Sequence, residues 1–139
     1  MTDKYYTPSI EDIRVGYEVE SHEWCIDEIG TPERNYDRWT TKILDKSHVE
    51  TILKYGIKGI RVPCLTKEQV EAEKWENIED LDDDGAFNAT KTIGGIIYKL
   101  TWTSDKSMQI WDTNFQHCVY FGSCPSINEF RFICKLLNV

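Results

Sequence analysis

A chain of 139 residues with 16 Lys and Arg against 24 Asp and Glu carries a formal charge of −8. That balance argues against general binding to duplex nucleic acid, which rests on phosphate neutralisation by Lys and Arg, and no block of basic residues offsets it. No apolar run approaches the ~18 residues that a membrane-spanning helix requires, so no membrane partner is expected.

A single domain over residues 1–139 is the expectation at this length, since a chain of ~150 residues buries roughly 68–70% of its unfolded surface without needing staples. Residues 1–10 lack the apolar core of a secretory signal. The five cysteines, Cys25, Cys64, Cys118, Cys124 and Cys134, are odd in number and form no C-x-x-C. Reduced thiols and a cytoplasmic location are therefore expected.

In chain order, Ser9 and Asp12 have the spacing of a helix start. Ile13, Val15, Tyr17 and Val19 then alternate with polar residues and Gly16, the period of a half-buried strand. Residues 39–44 are its candidate partner. Ser47 and Glu50 predict a second helix, with Val49, Ile52 and Leu53 on its apolar face and Gly56 as its stop. A strand is expected over residues 60–65. Pro63 would place it at an edge or end it, because proline cannot donate to a ladder.

Thr66 and Gln69 open a third helix, and an acidic stretch follows over residues 68–84. Residues 95–102, 108–113 and 117–122 are rich in branched and aromatic side chains, with connectors short enough for hairpins. Finally, Ser126 and Glu129 open a helix whose Ile127, Phe130, Ile133, Cys134, Leu136 and Leu137 form one apolar stripe. The expected fold is α+β: an antiparallel sheet of about five to six strands with two to four short helices, the C-terminal one packed on the sheet.

Several clusters carry possible chemistry. Asp80, Asp82, Asp84 and Gly85 match the opening of a calcium loop, but Lys91 stands where the bidentate Glu belongs, so a solvated acidic turn is expected. Glu18, Glu20 and His22 share one strand face and suit metal binding or acid–base work. His117, Cys118 and Cys124 are the nearest approach to a zinc set, and adjacent strand residues such as His117 and Cys118 point to opposite faces. Neither a metal nor a cofactor is expected.

The aromatic content suggests another class of site. Rings exposed beside guanidinium groups suit stacking on a base or anchoring a partner. The candidate ligand-binding residues are Arg34, Arg38, Trp39, Tyr36, Trp24 and Arg61, with Arg14 as a further cation. The segment around Arg34 and Arg38 is the first choice.

The segment from Pro8 to Glu20, containing V-G-Y-E, resembles the opening of small uncharacterised proteins from bacteriophages and prophages of gut-type bacteria. The aromatic-Gly step Phe121-Gly122 and the amphipathic stretch through Leu137 are similar to the ends of those proteins. In the middle this chain has Lys74-Trp75 where the group tends to have Gly-Trp. The resemblance implies a phage-encoded protein in an infected or lysogenic host, and it implies no site.

The functional expectation is a non-enzymatic phage accessory protein acting by binding. Counter-defence, by sequestering a nucleotide signal or blocking a host protein, is the expected form. Its partner would be a small anionic ligand or a host protein, with self-association as a further possibility. The alternatives are a small metal-dependent hydrolase using Glu18, Glu20 and His22, and a minor phage structural component.

Overall fold

The computed structural model describes residues 4–26, 32–56 and 59–139, with backbone alone for residues 23–26, 32–38 and 55. The fold is α+β, and its strands divide between a four-stranded and a five-stranded antiparallel sheet. The sheets belong to two compact units, residues 4–63 and residues 64–139. No helix among the described residues is long and apolar enough to cross a membrane.

The first unit contains β1 (Tyr5–Tyr6), β2 (Glu18–Ile26), β3 (Pro32–Ile43), helix α1 (Lys46–Tyr55) and β4 (Ile60–Pro63), with strand order β1-β4-β2-β3. Its core gathers Ile13, Tyr17, Val19, Leu44, Ile52 and Val62. The strand expected from Ile13 starts later, at Glu18. Gly16 takes a φ of +88°, a conformation that costs glycine little, and donates its N–H to the Leu44 carbonyl at 2.7 Å. The resulting turn buries Ile13 and Tyr17 and leaves Val15 exposed.

Two further expectations are corrected in this unit. Ser9 caps a short 3-10 turn, Ile10–Asp12, in place of an α-helix. Helix α1 is capped by Asp45, not Ser47: the Asp45 carboxylate accepts from the His48 N–H, and the His48 imidazole accepts from the Asp45 N–H. Ile52 is in the core with Val49 packed against it, and Leu53 is exposed. β4 ends at Pro63 and lies between β1 and β2, so it is not an edge.

The second unit contains α2 (Lys67–Ala72), β5 (Glu76–Asp80), β6 (Phe87–Ile93), β7 (Ile96–Trp102), β8 (Ser107–Asp112), β9 (His117–Ser123) and α3 (Ile127–Leu137). The five strands form an antiparallel meander in sequence order. Its last three strands match the three apolar runs, and the reciprocal Thr66–Gln69 cap of α2 forms as the spacing predicts. β5 and β6 were not expected, since Glu76, Glu79 and Asp80 carry no strand pattern and Asn88, Thr90, Lys91 and Thr92 dilute that of β6.

Helix α3 packs Ile127, Phe130, Ile133 and Cys134 against Leu100, Trp102, Met108 and Ile110 of the sheet. Of the expected apolar stripe, Leu137 is partly buried against this core, and Leu136 is exposed. Trp102 donates its indole N–H to the Cys124 carbonyl at 2.8 Å, so this large ring is buried without leaving its polar atom unmatched.

Candidate functional site

The geometry starts from the register of the first sheet. Val19 points into the core, so its neighbours Glu18 and Glu20 belong to the opposite face of β2. Glu20 lies beside Arg61 of β4 on one side and Thr41 of β3 on the other, and His22 lies beside Trp39. Tyr5 is paired with Pro63, two residues beyond Arg61, which sets it on the same face.

These residues assemble around one guanidinium. Arg61 donates from Nε and Nη2 to Glu20 Oε1, at 3.3 and 2.9 Å. Its guanidinium carbon lies 3.7 Å from the centre of the Tyr5 ring and 4.0 Å from that of Trp39. The His22 ring lies 3.9 Å from the Trp39 ring, tilted by 53°. The side chains of Arg61 and Glu20 are 27% and 15% exposed, which partly shields the pair from water and salt.

Two of the five guanidinium donors are thus engaged by Glu20, and the rings restrict the plane of the group. An arginine held in this way loses little rotamer freedom on gripping an anion with its remaining donors. Cation–ring contacts of this kind contribute about 0.5–2 kcal/mol each. Tyr5 and Trp39 also present flat surfaces that suit a planar ligand.

The expected site residues are distributed as follows. Arg61 and Trp39 are brought together. The side chains of Trp24, Arg34, Tyr36 and Arg38 lie outside the described residues, but their backbone belongs to the same β2–β3 ribbon. Trp24 is the strand partner of Arg34, and Tyr36 and Arg38 fall where the register shifts between Asn35 and Trp39. Arg14 is elsewhere in the same unit, 5.2 Å from the Tyr17 ring centre.

Tyr5 is among the surplus aromatic rings of the sequence but not among the candidate ligand-binding residues, and the pairing of Glu20 with Arg61 was missed. Strand pairing joins Glu20 to a residue 41 positions away, beyond any local pattern. The Tyr5-Tyr6 dipeptide was the one visible signal for a ring at this face.

The other clusters have local roles. Glu20 of the Glu18, Glu20 and His22 face is committed to Arg61, and among the described residues no three His, Cys, Asp or Glu side chains are placed to hold a metal ion. In the acidic loop, Lys67 holds Asp80, and Asp82 accepts from the backbone N–H groups of Asp84 and Ala86. Those carboxylates shape the acidic turn that the sequence predicts.

Cys64, Cys118, Cys124 and Cys134 are in no disulfide, and the Cys25 side chain lies outside the described residues. Burial pushes the Cys124 thiol far above its ordinary range, with the Glu129 carboxylate adding to the effect. Burial likewise raises Cys134 to about 11, opposed in part by the Lys91 charge. Neither thiol is poised as a nucleophile, since the thiolate is the reactive form. A comparison with known protein families, characterised proteins and solved structures finds no match to this chain.

Proposed function

We propose that this chain is a non-enzymatic phage accessory protein that acts by binding, and that its binding surface is the face of the four-stranded sheet opposite its core. The favoured ligand is a small anion bearing a flat ring, such as a nucleotide signal sequestered from a host defence. The observation that carries this reading is the Arg61 guanidinium, fixed by Glu20 and lying against Tyr5 and Trp39. The phage assignment rests on the resemblance of the two terminal segments alone. Binding is preferred to hydrolysis because Glu20, a necessary member of the acid–base alternative, is engaged by Arg61.

Calorimetry of the whole protein against a panel of nucleotides and cyclic nucleotides tests the proposal. Arg61→Ala should weaken binding about 10- to 100-fold, the scale of one charge-assisted contact. Arg34→Ala with Arg38→Ala should weaken it by about two orders of magnitude or more on the same scale. A panel without a binder, or an Arg61→Ala variant that binds like the parent, would overturn the nucleotide reading. A host protein would then be the leading partner.

A further inference from the structure

The two outer strands of the five-stranded sheet are built differently. β5 carries Glu76, Glu79 and Asp80, slips register between Glu76 and Glu79, and has Asn77 at a φ of +52°. Acidic side chains and an irregular backbone discourage another strand from pairing there.

β9 has a regular inner half. It pairs with β8 without interruption from Ser107–Ser123 to Ile110–Tyr120, its one irregularity lying beyond, between Ile110 and Trp111. The Cys124 N–H donates to the Lys106 carbonyl at 2.7 Å. Hydrogen bonding in an antiparallel pair alternates, so Gly122 and Tyr120 face β8, and the N–H and C=O of Phe121 point away from the sheet. The next outward carbonyl, that of Ser123, accepts from the Tyr120 hydroxyl at 2.8 Å.

The Phe121 side chain is 71% exposed, and Trp111 on the same face is 38% exposed. Gln109 joins them: it is the strand partner of Phe121 and accepts the Trp111 indole N–H at 3.0 Å. Residues 113–128 contain no Lys, Arg, Asp or Glu, in a chain whose residues are 29% charged.

We propose that β9 pairs with β9 of a second copy of this chain, antiparallel about a two-fold axis at Phe121. Two copies of a molecule with a charge of −8 repel each other, and a two-fold contact sets each surface against itself. A charge-free strand meets that condition. A foreign partner of an acidic protein would instead be recognised by opposite charge at the contact. The pairing gives the two outward Phe121 backbone groups partners and sets the two exposed rings side by side, a stabilising cross-strand arrangement. Because Tyr120 caps the Ser123 carbonyl, the new ladder is short and centred on Phe121. This inference is independent of the proposed ligand site, which uses residues of the other unit.

Sedimentation equilibrium of the full chain up to ~1 mM protein should show a monomer–dimer equilibrium. Phe121→Lys, which places two like charges opposite each other, should raise the dimer dissociation constant by about tenfold or more. Glu79→Lys at the other edge should leave the dissociation constant at or below the parent value. Hydrogen exchange provides a readout on the unmodified protein, and it stands if Phe121→Lys fails to fold: the Phe121 amide should gain protection as concentration rises. A parent that stays monomeric throughout the range, or a dimer whose Phe121 amide exchanges at a concentration-independent rate, would overturn the proposal. So would a folded Phe121→Lys variant that dimerises as the parent does.

Discussion

The four-stranded and five-stranded sheets solve the same problem in opposite ways. Each buries one face in its own core, around Val19 and Val62 in the first and around Leu100 and Ile110 in the second. On its other face the first sheet gathers one guanidinium, one carboxylate and three rings into mutual contact. The second carries polar cross-strand links, such as Thr101 to Asn88 and Asn77 to Thr90, interrupted by exposed Trp111 and Phe121. Rings that hold a cation against one face give a pre-set site with a defined chemistry. Rings left open to water favour association through apolar area. The same residue types therefore have different uses, decided by whether strand register places a charge beside them.

The largest test of this contrast removes residues 126–139. The second unit would lose Ile127, Phe130, Ile133 and Cys134 from its core. Each large apolar side chain contributes ~1.5–3 kcal/mol when buried, and the sum reaches the ~5 kcal/mol lower end of a domain's net stability. Amide protection should vanish from β6 to β8 and persist in β2 and β4, whose core contains none of these residues. Loss of protection in both sheets together would show that the two cores unfold as one.

A smaller effect is expected at the Arg61 cluster. Arg61→Ala should destabilise the first unit by about 1.5–3 kcal/mol, because it leaves the Glu20 carboxylate partly buried without its charge-assisted partner. Glu20→Gln should cost less, since the amide oxygen still accepts from Arg61. Chemical denaturation of both variants and of the double mutant measures the coupling, and a coupling energy near zero would show that the stack is merely adjacent.

Alkaline pH should act on the second unit. Cys124, Cys134 and Tyr120 all hold their protons more tightly when folded, chiefly through burial. A thiol in the unfolded chain ionises near 8.5. The contribution of these thiols is therefore complete below about pH 8.5 and declines as pH rises through the folded value of Cys134, about 11. Denaturation midpoints followed by amide exchange should fall over that window in the five-stranded unit. An unchanged midpoint up to pH 11 would contradict the buried environment of these thiols.

Calcium should have the smallest effect. With Asp80 and Asp82 already hydrogen-bonded and Lys91 donating to the Glu73 carbonyl, any affinity should be in the millimolar range. Calcium at a concentration equal to its Kd stabilises by only ~0.4 kcal/mol. A shift of several degrees in melting temperature at micromolar calcium would reverse this reading.

What could be read from the sequence follows the range of the interactions. The Thr66–Gln69 cap, the meander from Ile96 to Ser123 and the buried stripe of α3 are encoded within a few residues, and the sequence showed them. The start of α1 was misplaced because His48 replaces the usual Glu or Gln as the reciprocal cap partner of Asp45. β5 was hidden because its acidic residues carry an edge in place of an apolar face. Of the candidate site, Arg61 and Trp39 were named for their chemistry. Their contact depends on β2 lying between β3 and β4, a non-local fact that no spacing rule contains.

The strand orders also carry a consequence for time. In the five-stranded sheet each strand pairs with its neighbour in sequence, so every hairpin closes a short loop. In the other sheet Tyr5 must meet Pro63, and the pairing waits until nearly the whole unit has been brought round. Closing such a loop costs entropy before any contact offsets it, and folding slows as contacts become less local. In refolding from denaturant the later half of the chain should therefore acquire protected amides first, with the Tyr5–Pro63 seam among the last. During synthesis the order of emergence runs the other way. The first unit leaves the ribosome complete at residue 63, and its slow closure overlaps with the making of the fast-folding meander.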